Sequence, residues 1–226
     1  WGGNSEYTIV DQDTVILIPD NISWKISACI STCGPTAWHL VNSAGKVKKG
    51  ANVLLLGTGG VSVFGVQIAK AMGANAIITS SSDKKLEILE SLGADHCINY
   101  KSNKEWAAKV LEATNGVGAD IAIKTGGPNS MAQTFESMSF NGLIGLIGFL
   151  SGNSNTSLDM MPLIGKNINL RGIAVGSVEM LEKLLSCMQS KSIKPYIGKE
   201  FQFDEAKEAL TYMESQSHIG KIVINH

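Results

Sequence analysis

An α/β fold, wound doubly about a parallel sheet, is what this 226-residue sequence implies, on three grounds. Short continuous apolar runs alternate with amphipathic stretches, glycines close those stretches in turn, and a glycine-rich turn follows the first buried run. "SEYTIVDQDTVILIP" (5–19) opens the chain as a strand-like segment, and "GPTAWHLVNSAG" reads as a helix ended by Gly45. "ANVLLLG" (51–57) is a strand buried on both faces, followed by a helix over Gly60–Met72 that Gly73 stops. The strand "NAIITS" precedes a helix over Asp83–Leu92, closed by Gly93. "HCINY", "ADIAIK" and "LIGLIGFL" are further strands, with helices near Lys104–Thr114 and Asn129–Ser139 between them. "INLRGIAVG" adds a strand, and the tail continues with helices near Val178–Ser190 and Asp204–Ser215 and a last strand, "KIVIN".

Composition narrows the functions open to such a chain. Hydrophobic residues make up 44% and charged ones 17%, enough for one large core or one core and a partial second. Nineteen basic and 20 acidic residues nearly cancel, and no run of like charges stands out, which argues against nucleic acid or an anionic membrane as partner. No apolar run has the length of a membrane span and no secretion signal opens the chain, so a cytoplasmic protein is expected. Cys29, Cys33, Cys97 and Cys187 form neither a C-x-x-C pair nor a metal-type cluster and read as reduced thiols packed in the core. The chain starts at Trp1 on a strand-like segment with no earlier partner, as a piece of a longer protein would.

The turn Gly57-Thr58-Gly59-Gly60-Val61-Ser62 lies between strand and helix. In a dinucleotide site the first glycine makes the tight turn, the second admits the pyrophosphate, and the third lets helix and strand pack. Gly57 and Gly59 suit the first two roles, and amides at the helix start hold the anion. Ser62 occupies the third position, where its one extra oxygen is expected to loosen the packing slightly. A purely structural glycine turn, or the turn of a methyltransferase, would share the bare spacing. Both a methyltransferase and an NAD enzyme want an acid at the end of the second strand, and here stand Ser80, Ser81, Ser82, Asp83, Lys84 and Lys85. Hydroxyls at Ser80 and Ser81 with the cation of Lys85 suit a 2′-phosphate, so NADP(H) is the expected cofactor and NAD(H) the alternative. Equally, Ser82 or Asp83 caps the next helix and the lysines are its solvated face.

With these residues on the page a resemblance becomes specific. "TAWHLV", "KVKKGANVLLLGTGGVS", "SLGADHCINY", "LIGFLSG", "LRGIAVGS" and "YMESQSHIGKIVINH", in this order, resemble the zinc-type alcohol dehydrogenases and quinone oxidoreductases among the medium-chain dehydrogenases/reductases. The resemblance implies a Rossmann-type doubly wound sheet over residues 34–174, with 1–33 and 175–226 as the remnant of a GroES-like catalytic domain whose amino-terminal part is missing. It implies hydride transfer between the nicotinamide and an alcohol, carbonyl, quinone or enone, a small-molecule substrate, with the cofactor supplying the chemistry. It matches Thr36 to the threonine against the nicotinamide. It matches Ile147, Gly148, Phe149 and the segment from Ile173 to Val175 to the backbone that holds the carboxamide, and Thr125 and Gly126 to the turn beneath the adenosine ribose. A homodimer through the strand near 168–176 is also implied.

The departures carry information too. Thr32 falls where zinc-dependent relatives carry a cysteine ligand, with Cys33 one residue off, so a member that works without zinc is expected. Lys124 stands where many relatives carry an acid. No catalytic residue is assigned, and His39, His96, His218 and His226 read as structural or surface groups. A cofactor-binding or structural protein of the same fold, without turnover, is the alternative.

Overall fold

The computed structural model describes residues 5–148 and 159–226. Residues 5–19 do not form the expected strand. Apart from a 3₁₀ turn at Gln12–Thr14, where the Asp11 carboxylate accepts the Asp13 amide at 3.0 Å, the segment is irregular and largely exposed. An apolar run becomes a strand only where a neighbour completes its hydrogen-bond ladder, and no described strand pairs with this one.

Helix α1 spans Trp24–Ile30 and α2 spans Cys33–Trp38; α2 continues directly into a π-helical turn, His39–Ala44, that ends at Gly45. Strand β1 (Asn52–Leu56) leads to α3 (Gly60–Ala71), β2 (Asn75–Ser80) to α4 (Asp83–Ser91), and β3 (His96–Asn99) to α5 (Trp106–Ala113). Then follow β4 (Ala119–Lys124), α6 (Met131–Ser137), β5 (Met138–Leu146), α7 (Met161–Gly165) and β6 (Asn169–Gly172). The tail holds α8 (Val178–Lys191), β7 (Ile197–Gln202), α9 (Ala206–Glu214) and β8 (Lys221–Asn225).

Six strands form one parallel sheet in the order β3-β2-β1-β4-β5-β6. Val53 of β1 sits opposite both Ala76 and Ile121, and Val53 and Leu55 pack with α2, α3, α4 and α8 on one face. Leu54 and Leu56 turn to the other face with Trp106 and Val110 of α5 and Met131 and Phe135 of α6. Burial on both faces is why β1 is apolar at every position after Asn52.

Two differences from expectation have local causes. The helix expected to reach Ser139 ends at Ser137, because Met138 pairs with Ala119 and opens β5. Strand β7, which no sequence signal marked, pairs in parallel with β8 in a separate two-stranded sheet. Only Phe201 of its residues is buried, so it lacks an apolar run. A bridge between Gly59 and Gly220 ties this tail to the turn after β1.

Candidate functional site

The strand order reverses between β1 and β4. The helix after β1 covers one face and the helix after β4 the other, so the loops beyond these two strands diverge and leave a crevice at their carboxyl ends.

On the β1 side, Gly57 has φ +85°, a conformation that favours glycine, and its amide donates to Thr79 O at 3.0 Å. Thr58 is buried and its carbonyl accepts the Gly220 amide at 3.0 Å. Gly59 is the N-cap of the 12-residue α3, and a Cβ on it would meet nothing within 4 Å. The first helical bond runs from Val63 N to Gly59 O. Among the described residues no acceptor meets the amides of Val61 and Ser62, while the Gly59–Gly220 bridge turns the Gly60 amide towards Gly220 O, so two free donors and the positive end of the helix face the opening.

Ser62 corrects the expectation of a loosened third position. It is buried and its hydroxyl donates to Leu56 O at 3.1 Å, which adds a tie between α3 and β1. The close helix–strand approach falls one turn later. A Cβ on Gly65 would lie 2.4 Å from Leu55 Cδ2 and 2.6 Å from Ile123 Cδ1.

Two groups distant in sequence, Cys33 and Lys221, lie against this turn. A Cβ on Gly60 would meet Cys33 Sγ at 2.7 Å and Lys221 Cδ at 2.8 Å, and Lys221 Nζ lies 3.8 Å from Cys33 Sγ. Lys221 therefore brings a cation against the first turn of α3 from the far end of the chain, with only the strand "KIVIN" to mark it. Cys33, facing that turn, is half-buried, and Thr32 beside it is exposed; of the four cysteines Cys29 is buried, Cys33 and Cys187 are half-buried and pack against the core, and Cys97 is exposed, so the expectation of core packing fails for Cys97 alone.

At the end of β2, Ser80 is buried and its Oγ accepts the Ser82 amide at 3.3 Å, while Ser81 is half-buried. Ser82 is the N-cap of α4 by its backbone but makes no side-chain cap bond. Lys85 departs from the expected free cation: its Nζ donates to Gln216 O at 2.9 Å and His218 O at 3.0 Å, and burial holds its pKa below the usual lysine range. Lys84, next to it, is exposed.

On the β4 side, Thr125 Oγ1 donates to Leu56 O at 2.6 Å, and Gly126 lies above the Lys124 ammonium, its notional Cβ 3.9 Å from Nζ. Lys124 is fully buried and donates to Gly127 O, and burial lowers its pKa to about 8. The amides of Ile147 and Gly148 donate to Lys124 O at 3.0 and 3.4 Å, carrying the chain past β5 beside Thr125. Phe149 lies outside the described residues. Beyond β6, Ile173 is buried with its amide on Leu146 O at 2.9 Å, and Val175 has φ +59° with its carbonyl 2.8 Å from His39 Nδ1. Thr36 is buried on α2 with Oγ1 donating to Thr32 O at 2.6 Å.

Over residues 60–190, more than half the chain, the sequence matches the family described as zinc-binding dehydrogenase. The chain belongs to that family. A zinc-type alcohol dehydrogenase-like protein of Schizosaccharomyces pombe is 41% identical over 225 residues, covering 97% of this chain and 65% of the relative. A putative alcohol dehydrogenase from Sinorhizobium meliloti 1021 has a solved structure with a TM-score of 0.86 at 35% identity, over 92% of this chain and 60% of that one. A solved NAD-dependent alcohol dehydrogenase superposes with a TM-score of 0.92 at 28% identity, over 100% of this chain and 65% of that one. The chain thus spans a little under two thirds of these members of the family. Its fold is the Rossmann-type sheet with flanking helices that the resemblance implied.

Within the described residues this member of the zinc-binding dehydrogenase family has no group of three or more His, Cys, Asp or Glu placed to hold a metal, and no helix long and apolar enough to cross a membrane.

Proposed function

We propose that this chain carries the nucleotide site of an NAD(P)-dependent oxidoreductase. One observation carries the reading: at the reversal of strand order, two unpartnered amides of α3, those of Val61 and Ser62, open onto a face that Gly59 leaves clear. A pyrophosphate fits this donor set, and Lys221 adds a positive charge beside it. A nicotinamide, when bound, supplies the hydride chemistry. The chain's own residues bind and orient: Gly57, Thr58, Gly59, Gly60 and Val61 form the phosphate turn, and Ser80 and Ser81 meet the ribose. Thr125 and Gly126 floor the crevice, and Thr36, Ile147, Gly148, Ile173 and Val175 surround the nicotinamide end.

The family membership and the solved NAD-dependent alcohol dehydrogenase support this class of reaction. NADP(H) preference rests on the absence of an acid from Ser80 to Ser82 and on Lys84. The whole protein would act on an alcohol, carbonyl, quinone or enone, with residues 34–174 as its nucleotide-binding domain and 1–33 and 175–226 belonging to its catalytic part. Thr32 at the position of a zinc ligand supports a member that works without that metal.

Titration of the purified chain with NADPH and NADH, followed by nucleotide fluorescence, tests the reading. Saturable binding that Gly59→Asp abolishes is expected, because a carboxylate there would occupy and repel the anion site. No saturable binding of either nucleotide overturns it.

A further inference from the structure

We propose that His39 is a positioning residue of the nicotinamide end, holding the Val175 peptide in a left-handed turn. The inference rests on the reading of the site as a nicotinamide nucleotide site. Val175 has φ +59°. A β-branched residue in that region is an outlier that persists only where its surroundings fix it, and such positions gather at ligand sites.

The surroundings here are few and specific. Upstream, the Ile173 amide is held by Leu146 O at 2.9 Å; downstream, Ser177 caps α8, its Oγ accepting the Met180 amide at 3.2 Å. Between these fixed ends the chain must pass over α2, and Gly176 comes so close that a Cβ on it would lie 2.9 Å from Pro35 O. Among the described residues the one side-chain bond to the turn is from His39 Nδ1 to Val175 O, at 2.8 Å. A carbonyl only accepts, so Nδ1 is the donor in this bond.

His39 is also where α2 gives way to the π-helical turn, a widening that often marks a functional position. The same helix carries Thr36, so one element presents Thr36 and fixes the facing turn through His39. Fixing Val175 O orients the adjoining peptide groups, and the Val175 amide has no protein acceptor among the described residues. That amide is the donor a carboxamide oxygen would take. His39 touches no reacting atom; it sets where the donor points.

The test compares two ligands, NADPH and 2′-phospho-ADP-ribose, which lacks the nicotinamide. Three variants are titrated: His39→Phe removes the donor and keeps a ring, His39→Asn keeps a donor near the Nδ1 position, and Val175→Gly in the His39→Phe background removes the strain. Loss of one such hydrogen bond predicts about two- to tenfold weaker NADPH binding in His39→Phe, with 2′-phospho-ADP-ribose unchanged. His39→Asn restores most of the affinity and the added Val175→Gly part of it. Equal loss for both ligands, no loss for either, or no recovery in His39→Asn overturns the proposal. A parent chain that binds 2′-phospho-ADP-ribose but gains nothing from the nicotinamide overturns it while leaving the nucleotide site standing; a parent that binds neither removes the functional reading itself.

Discussion

The hydroxyls of Ser62 and Thr125 both donate to the carbonyl of Leu56, at 3.1 and 2.6 Å. One belongs to the first turn of α3 and the other to the loop after β4, so a single carbonyl at the end of β1 ties both walls of the crevice. Ser62→Ala and Thr125→Val are each expected to cost about 0.5–1.5 kcal/mol, while the double variant costs more than the sum because Leu56 O then loses both donors. Urea unfolding of the four proteins checks this; strict additivity would show that the two bonds are independent.

Gly65 sets the depth to which α3 sinks onto the sheet. With Leu55 and Ile123 side chains 2.4 and 2.6 Å from its notional Cβ, Gly65→Ala must push helix and strands apart. Overpacking of this kind costs about 1–3 kcal/mol. Because the helix start moves with it, nucleotide affinity should fall as well, whereas an alanine at exposed Lys84 leaves stability unchanged within about 0.5 kcal/mol.

The parts of this molecule that sequence displayed are those governed by short-range rules. Buried runs such as "ANVLLLG", glycines at helix ends such as Gly73 and Gly93, and the glycine-rich turn after β1 all declare themselves within a few residues. What stayed hidden depends on partners distant in the chain. Residues 5–19 carry a strand's pattern without a ladder to join, and β7 is a strand because β8 lies beside it rather than because of its own apolarity. Lys85 has the composition of a phosphate ligand, yet the 216–218 turn engages its ammonium. His39 and Lys221 reach the site only through the tertiary fold.

Lys124 gives the fold a pH dependence of predictable sign. Its pKa is about 8 in the folded protein against 10.5 for the free side chain. Between those values the unfolded chain binds more protons, so this group makes stability rise as pH increases from about 8 to 10.5. The buried Cys29 thiol, its pKa raised by burial, acts in the opposite sense above pH 9, so the variant is compared with the parent at each pH. Lys124→Met is expected to stabilise the chain at pH 7 by about 1–3 kcal/mol, since it removes a buried charge without a carboxylate partner. The gain should vanish by about pH 10.5. A variant whose advantage is the same at all pH values would show that folding does not lower the pKa of Lys124.

Strand β6 is the sheet's last strand and all four of its residues are exposed, Leu170 at 40%. An uncovered, largely uncharged edge invites pairing with a second copy. We expect a homodimer through residues 168–176 in sedimentation at micromolar concentration. Leu170→Lys, which sets like charges across such a pair, should give monomers with unchanged thermal stability. A parent chain that is monomeric at that concentration refutes the pairing.

Cofactor choice turns on which lysine is available. A carboxylate at the end of β2 would accept from a ribose diol and repel a 2′-phosphate; Ser80, buried with its Oγ accepting the Ser82 amide, keeps its hydroxyl hydrogen for either and repels neither. Lys85 is committed to the carbonyls of Gln216 and His218, which leaves exposed Lys84 to supply the charge. One charge-assisted contact at an exposed site is worth about 1.5 kcal/mol, the low end of its range, so NADPH should bind about tenfold more tightly than NADH. Lys84→Ala should bring the two cofactors to parity, and Ser80→Asp should reverse the order. Lys85→Ala behaves differently: by freeing the turn that leads to Gly220 and the Thr58 carbonyl, it weakens both cofactors alike and lowers the unfolding temperature. Titrations of both nucleotides at one salt concentration decide between these outcomes. A selective loss of NADPH in Lys85→Ala, with Lys84→Ala unaffected, would mean that Lys85 leaves its carbonyls to meet the phosphate.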